Sequence, residues 1–271
     1  MALNISSLNR NTVDVWTGEV MLATGQASLA IMAIGVFSAC LFSETSKIAK
    51  FFAAIGFIGV FAYNLVLAGR TLILLSMIIL SVALIYAVKN SKLQRKRNIA
   101  IVTLAVLLII LVIYTQNLFG IRDWILGSNL STRFDMMLIG EDSRLEKKQL
   151  YFVNMLKYPF GGGNLRDYVG GYAHELYLDV YSDVGVVGYV SVIAFVFISV
   201  INLWRVFKRE DVSRNFKLLS LCIYIAILIE FLLEPIIQGV PWLFCTFCFY
   251  SGLLKSVRIS DAELTTFARA G

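Results

Sequence analysis

Long apolar runs separated by short polar segments dominate this chain. Several of them approach the roughly 20 residues that a helix needs to cross a bilayer. We place seven such spans, at about 20–42, 51–68, 72–88, 99–117, 178–203, 217–234 and 241–255. The pattern therefore predicts an all-α fold: a polytopic transmembrane helical bundle of about seven spans, forming a single integral membrane domain over residues 1–271.

Basic residues mark alternate connections between these runs. They are concentrated in four segments, 43–50, 89–98, 204–217 and the tail after 254. Because short loops rich in Lys and Arg stay on the cytoplasmic side, we predict these four segments to be cytoplasmic. The external segments are then 1–19, the hinge at Gly69-Arg70, a large loop at 118–177 and the turn at 234–241. An odd number of spans with an external start leads us to expect further helices upstream.

The composition agrees with a membrane protein. The chain is 58% hydrophobic and 15% charged, with a mean hydropathy of +0.76. A water-soluble domain of this size could not bury that much apolar surface. The formal net charge is +6, but the cytoplasmic connections account for most of it. We therefore expect the lipid bilayer, and no nucleic acid, as a partner.

The external loop 118–177 contains one helical pattern, from Ser143 to about Tyr158. Ser143 and Glu146 fit a capping box, and Pro159 with Gly161–Gly163 would end the helix. Its apolar face is broad, so we predict an interfacial helix along the membrane surface or against the bundle. A phosphate-cradling loop is the alternative to a turn at the glycines, but the Lys-Ser/Thr of a P-loop is missing.

His174 is the only histidine, and it lies where the polar loop meets an apolar run. At the start of the fifth predicted span, the helix dipole would disfavour the imidazolium form and keep a neutral base available. His174 is therefore a candidate general base. The alternative is an interfacial polar anchor with no chemical role.

Short motifs follow one another in a distinctive order. They are Gly69-Arg70-Thr71, Ser143-Arg144-Leu145, Pro159-Phe-Gly-Gly-Gly163, Ala173-His174-Glu175-x-Tyr177-Leu178-Asp179, Gly185-Val-Val-Gly188, and Glu234-Pro235 with Gly239-x-Pro241. Together they resemble the O-antigen ligase and polymerase family of bacterial membrane glycosyltransferases, over residues 20 to 255. The last motif resembles the external turn of capsule and exopolysaccharide polymerases. The family usually has Asn where this chain has Glu175.

The resemblance implies an enzyme that polymerises or ligates polyprenyl-diphosphate-linked oligosaccharide units at the outer leaflet of the bacterial cytoplasmic (inner) membrane. The acceptor would be a glycan or a lipid, and a flippase and a chain-length regulator are implied as partners. With one histidine and no DxD-like pair of acids in the loop, we expect no metal and no other cofactor. The expected site is His174 as base, Arg70 and Arg144 as diphosphate ligands, and Glu175, Glu234 and Tyr177 as acceptor-binding or orienting groups.

Other interpretations remain open. Arg70 and Arg144 could be an anchor and a solvated charge, and we expect ordinary loop charges at Arg133, Lys147, Lys148 and Arg166. A polysaccharide or lipid transporter component without catalysis is the alternative function. A transporter should carry charges near the bilayer midplane, whereas the polar groups here gather on one side. The turn at 234–241 favours a polymerase over a ligase.

Overall fold

A computed structural model describes residues 12–13, 18, 20–21, 23–66, 70–91, 96, 108, 112–126 and 143–270. Side chains are described within these ranges except at 12–13, 20–21, 23–24, 66, 70, 119, 121, 124–125, 143 and 258–270. The chain divides into two compact units, Met1–Glu141 and Asp142–Gly271. The predicted loop 118–177 is divided between them, and the single domain over 1–271 stays a prediction.

The first unit is helical apart from one short β pairing. Strand β1 (Thr12–Val13) runs antiparallel to β2 (Val20–Met21). The helices are α1 (Ala23–Phe42), α2 (Lys47–Val66), α3 (Arg70–Lys89) and α4 (Ile121–Leu126), the last preceded by a 3₁₀ turn at Leu118–Gly120.

Helix α1 packs against both α2 and α3. Ile31 and Ile34 of α1 and Leu72 and Leu75 of α3 are fully buried, at the three-residue spacing that keeps side chains on one helical face. Helix α2 instead leaves large apolar side chains exposed, namely Ile48, Phe51, Phe52, Ile55 and Ile58. An extended apolar surface on a 20-residue helix is typical of contact with lipid.

The second unit, within its described residues, consists of helices and turns. These are α5 (Ser143–Asn154) with a 3₁₀ turn at Met155–Lys157, α6 (Asn164–Val169), α7 (Leu176–Val184), α8 (Val186–Lys208), α9 (Arg214–Leu233), α10 (Ile236–Gly239) and α11 (Pro241–Ala270). Helix α5 is the helix expected in the loop, and its last turn tightens before Pro159.

Five helices are long and apolar enough to cross a bilayer: Gly25–Phe42, Lys47–Leu65, Thr71–Lys89, Val186–Lys208 and Arg214–Leu233. They correspond to five of the seven predicted spans, so the chain has the helices of a multi-pass membrane protein. The span at 99–117 falls largely outside the described residues. The span at 241–255 is helical within α11, and its crossing of the membrane stays a prediction, as do the external positions.

The predicted start of the fifth span, at 178, is wrong. Gly185 has a φ of 83° and separates α7 from α8, so the bilayer-length helix begins at Val186. A β-carbon on Gly185 would lie 2.4 Å from the carbonyl oxygen of Pro159, which explains why only glycine fits there. His174 therefore precedes the short helix α7 and is not at the end of the span.

The glycine turn after Pro159 closes the break between α7 and α8. The Gly162 amide donates to the carbonyl of Asp183 (3.0 Å), and the Gly163 amide donates to that of Ser182 (2.9 Å). In return, Pro159 accepts from the amide of Val186 at 2.9 Å. These bonds satisfy backbone groups that helix ends leave open. The turn interpretation is confirmed, and the two glycine amides are already committed to carbonyls rather than open to a phosphate.

A small aromatic core joins α5, α6 and α7. Tyr151, Leu165, Leu178 and Tyr181 are buried together with Ala173. The Tyr151 hydroxyl donates to the Gly171 carbonyl (2.9 Å), and the Tyr181 hydroxyl donates to the Met155 carbonyl (2.6 Å). Gly171, three residues before His174, is thus bonded to this packed core through its carbonyl.

Candidate functional site

His174 lies in the segment 171–175 between α6 and α7 and is half-buried. Its φ is 57°, a left-handed conformation that only Asn117 shares among the described non-glycine residues. Such a conformation costs a residue with a β-carbon about 1–3 kcal/mol, and it persists only where the surroundings impose it. Histidine is among the residues that tolerate it best.

Asp179 supplies part of that constraint from the first turn of α7. One carboxylate oxygen accepts from the Ala173 amide at 2.8 Å, and the other accepts from the Glu175 amide at 3.3 Å. The two amides flank His174 in the chain. Asp179 is 1% exposed, so its carboxylate binds these amides away from bulk water, where hydrogen bonds to a charged group are strongest.

Burial raises the pKa of Asp179 to about 6. The amides of Ala173 and Glu175 oppose this shift by stabilising the carboxylate, while the negative charges of Asp183 and Glu175 add to it. The group is therefore ionised at neutral pH but takes up a proton under mildly acidic conditions.

Glu175 is tied to α5 through Lys148. The Lys148 ammonium lies 3.1 Å from the Glu175 carboxylate, and it also donates to the Leu232 carbonyl at 2.6 Å. Glu175 has an extended backbone and precedes the first residue of α7. The residue next to His174 is thus held by a cation that simultaneously contacts the end of α9.

Arg144 and Glu234 form a second ion pair, with 3.3 Å between guanidinium and carboxylate. The Glu234 side chain is only 8% exposed and that of Arg144 is 29% exposed. Arg144 also donates to the Leu233 carbonyl at 3.2 Å. Removing one partner of a buried pair typically costs about 3–5 kcal/mol, because the other charge is left in a poorly solvated place.

The two cations act on the same helix end. Arg144 and Lys148 are four residues apart on α5, so they lie on one face of it, a turn apart. Both reach the last carbonyls of α9, which have no partner within the helix and carry the negative end of its dipole. The site is therefore assembled from α5, the His174 segment and the C-terminus of α9.

The remaining predicted residues lie at the edge of this assembly or away from it. Tyr177 is half-buried in α7, and burial, followed by the Glu175 charge, raises the pKa of its phenol. Arg70 begins α3 in the first unit, and its side chain lies outside the described residues. The expectation that Arg70 joins Arg144 in one diphosphate site stays a prediction.

The expectation of ordinary loop charges is wrong for Lys148 and Arg166. Arg166 lies 2.9 Å from the carboxylate of Asp183, whose other oxygen accepts from Gln238 at 2.7 Å. The Arg166 guanidinium also lies over the Tyr172 ring, 5.2 Å from its centre. This second cluster joins α6, α7 and α10. Arg133 lies outside the described residues.

Two site residues were missed by reasoning from the sequence. Lys148 follows Arg144 by four residues, a spacing that places two cations on one helical face, and this signal was available. Asp179 interrupts the apolar run after Leu176, but its hydrogen bonds go back to the backbone of 173 and 175. A contact of that kind depends on the path of the loop, which no side-chain pattern reveals.

The arrangement combines a half-buried imidazole with two cations and two carboxylates. Arg144 and Lys148 are groups that bind diphosphate oxygens, and here Glu234 and Glu175 occupy them. An anionic ligand would have to displace or share those carboxylates. Within the described residues, no group of three or more His, Cys, Asp or Glu side chains is arranged to hold a metal ion.

The fold and site define a multi-pass helical membrane protein whose second unit has a polar, ion-paired centre at the C-terminal end of α9. No protein-family model, curated protein sequence or solved structure matches the chain.

Proposed function

We propose that this protein is a membrane glycosyltransferase that transfers an oligosaccharide from a polyprenyl diphosphate to an acceptor hydroxyl. One observation carries the proposal. Through Arg144 and Lys148, helix α5 holds Glu234 and Glu175, which come from segments far apart in sequence, and Glu175 directly follows the chain's single histidine. Four residues chosen from the sequence for this chemistry, His174, Glu175, Arg144 and Glu234, thus belong to one neighbourhood.

The reaction assigns a role to each of these groups. The acceptor oxygen attacks the anomeric carbon, the bond from that carbon to the phosphate oxygen breaks, and the diphosphate leaves with the electron pair. The proton of the acceptor hydroxyl passes to the imidazole of His174. Arg144, with Lys148 beside it, stabilises the charge on the leaving diphosphate. When the donor diphosphate replaces Glu175 and Glu234 at their cations, these two carboxylates become able to accept hydrogen bonds from sugar hydroxyls.

A polymerase is favoured over a ligase, and the two differ only in the acceptor. The polymerase acceptor is a second lipid-linked glycan, and the ligase acceptor is a finished lipid or wall anchor. The proposal places the reaction at the external face of the bacterial cytoplasmic membrane, with Arg70 as a second diphosphate ligand. A flippase would supply the donor, and a chain-length regulator would limit the product.

The test is a deletion strain that carries either the wild-type protein or one variant, His174→Ala or His174→Asn. We expect both variants to insert normally and to lower chain growth by about 10²–10⁴-fold, the usual cost of losing a general base. Lipid-linked single units should accumulate, because the cations still bind the donor. The measurement is gel separation of lipid-linked and surface glycans at equal protein level. Glu146→Gln, on the exposed side of α5, is the matched control and should behave like wild type.

Two results would count against the proposal. Long chains from the alanine variant would remove His174 from the chemistry. Transport of labelled donor across the membrane of proteoliposomes, without any chain growth, would favour the transporter alternative. Arrest by a chelator alone would reject the metal-free mechanism while leaving the reaction class intact.

A further inference from the structure

We propose that Asp179 is the positioning residue for His174 and acts through the two backbone amides that flank it; this role rests on the proposed function of His174 as the base. The proposal follows from the groups that the Asp179 carboxylate binds. Both of its oxygens accept from backbone groups of the 173–175 segment. Within the described part of the chain, no ion pair includes Asp179, although Asp183 on the same helix pairs with Arg166.

The geometry suits orientation rather than charge neutralisation. The Ala173 amide precedes His174 and the Glu175 amide follows it, so one rigid group fixes the backbone on both sides of a left-handed residue. The charged and titratable groups around Asp179 are Glu175 at the start of α7, Asp183 one turn on and Tyr151 of α5. Arg166 of α6 and Lys148 of α5 engage other carboxylates. Burial raises the pKa of Asp179 to about 6, so the carboxylate that accepts from these two amides is ionised at neutral pH.

The carboxylate cannot be replaced by its amide without loss. An ionised Asp offers two acceptor oxygens, whereas Asn offers one acceptor and an NH₂ that is a donor. In Asp179→Asn, either the Ala173 or the Glu175 amide therefore faces another donor. Asp179→Glu keeps the charge but moves the oxygens by one methylene, which prevents the same bridge. Asp183→Asn makes the same chemical change one turn along α7 and leaves both flanking amides bonded.

The single histidine makes the test specific. Protein labelled with ¹⁵N-histidine and purified on a histidine-free tag in lipid nanodiscs gives NMR signals only from His174. We expect Asp179→Asn to shift both its backbone amide and its imidazole signals, and to reduce chain growth in the complemented strain at least tenfold. Asp183→Asn should leave the His174 signals in place. Asp179→Glu should resemble Asp179→Asn in both measurements.

The outcomes separate this inference from the proposed function. Unchanged His174 signals in Asp179→Asn overturn the positioning role, and so does normal chain growth in Asp179→Asn when His174→Ala is inactive. Normal chain growth in His174→Ala overturns the proposed function, while shifted His174 signals in Asp179→Asn still support the contact. If the variants do not accumulate, hydrogen exchange on the wild-type protein decides. Slow exchange of the Ala173 and Glu175 amides supports their hydrogen bonds to Asp179, and exchange at the rate of an open loop overturns the positioning role.

Discussion

At the scale of single residues, the site combines two features that oppose stability. His174 has a strained backbone conformation, and the buried Asp179 carries a charge at neutral pH although burial raises its pKa to about 6. Both are unfavourable in themselves, and such features are concentrated where function requires them. Because the Asp179 carboxylate accepts from the amides on either side of His174, we infer that its charge is retained to hold that segment.

Because burial disfavours the ionised form of Asp179, we predict that the free energy of unfolding depends on pH. The folded protein holds the Asp179 proton more tightly than the unfolded chain does, since the pKa rises from 3.8 to about 6 on folding. The stability from this proton is therefore complete below about pH 4 and is lost as pH rises through 6. A shift of this size corresponds to about 3 kcal/mol. We expect the wild-type protein to gain unfolding free energy as pH falls from 7.5 to 5, relative to Asp179→Asn.

The measurement is thermal or denaturant unfolding of both proteins in the same detergent. The difference between wild type and Asp179→Asn is taken at each pH, because other titrating groups cancel in it. A difference that stays constant across this range would mean that the carboxyl group has an ordinary pKa in the folded protein.

The sequence identified His174, Glu175, Arg144 and Glu234 because each belongs to a short motif at a boundary between apolar and polar segments. It could not show that the Glu residues neutralise cations of α5, since 90 residues separate Arg144 from Glu234. Pairing over that distance depends on how the helices pack. The diphosphate role of Arg144 was inferred from its motif and its charge. Because Glu234 pairs with the guanidinium in the structure, a diphosphate would have to replace that carboxylate.

At the scale of elements, the break between α7 and α8 is the feature that shapes the site. The apolar run from Val184 onward hides this break from a hydropathy reading, so the predicted fifth span began too early. What ends α7 is the contact of Gly161 with Gly185, two glycines with positive φ whose backbones touch. Hydropathy located α9 closely, and the capping pattern at Ser143 with the apolar face that follows it located α5.

We predict that Gly161→Ala and Gly185→Ala destabilise the protein more than Gly170→Ala. All of these glycines have φ between 75° and 83°, so each alanine is strained, by about 1–2 kcal/mol in the left-handed helical conformation of Gly170. Gly185, with a ψ of −166°, has a conformation that is essentially restricted to glycine, which adds to its loss. A β-carbon at Gly161 would also lie 2.5 Å from the Gly185 nitrogen, whereas nothing lies within 4 Å at Gly170. The added clash should at least double the loss of unfolding free energy.

Thermal unfolding of the three variants in one detergent checks this expectation, with Gly170→Ala as the measure of strain alone. Equal losses at Gly161, Gly185 and Gly170 would show that the close approach of the two backbones does not exist.

At the scale of the whole molecule, the second unit has a clear polarity. Helix α8 has 23 residues and a length of about 35 Å, enough to cross a bilayer. The Pro159 carbonyl, just before the glycine turn, accepts from the amide of the first residue of α8, Val186. The other end of α8 leads through 209–213 into α9, whose last residues meet Arg144 and Lys148. The candidate site therefore lies at one end of the α8–α9 hairpin, and the basic connection lies at the other.

This polarity gives a prediction about sidedness. We expect a topology reporter fused after Lys208 or Leu93 to be cytoplasmic and one fused near Asn164 to be external, because basic connections are retained inside. Paired alkaline phosphatase and green fluorescent protein fusions at the same positions provide the measurement. A cytoplasmic reading at Asn164 would place the candidate site on the side where external glycans are not assembled.

The bond between α5 and the end of α9 also bears on how the protein is made. Lys148 leaves the ribosome 84 residues before Leu232, and Arg144 leaves it 90 residues before Glu234. Until then, both side chains lack the helix end that they hold in the finished protein, and two charges keep α5 out of the hydrocarbon. On the predicted topology, we expect helix α5 to stay outside the bilayer until α8 and α9 have been inserted. The candidate site is thus one of the last parts of this unit to come together during biosynthesis.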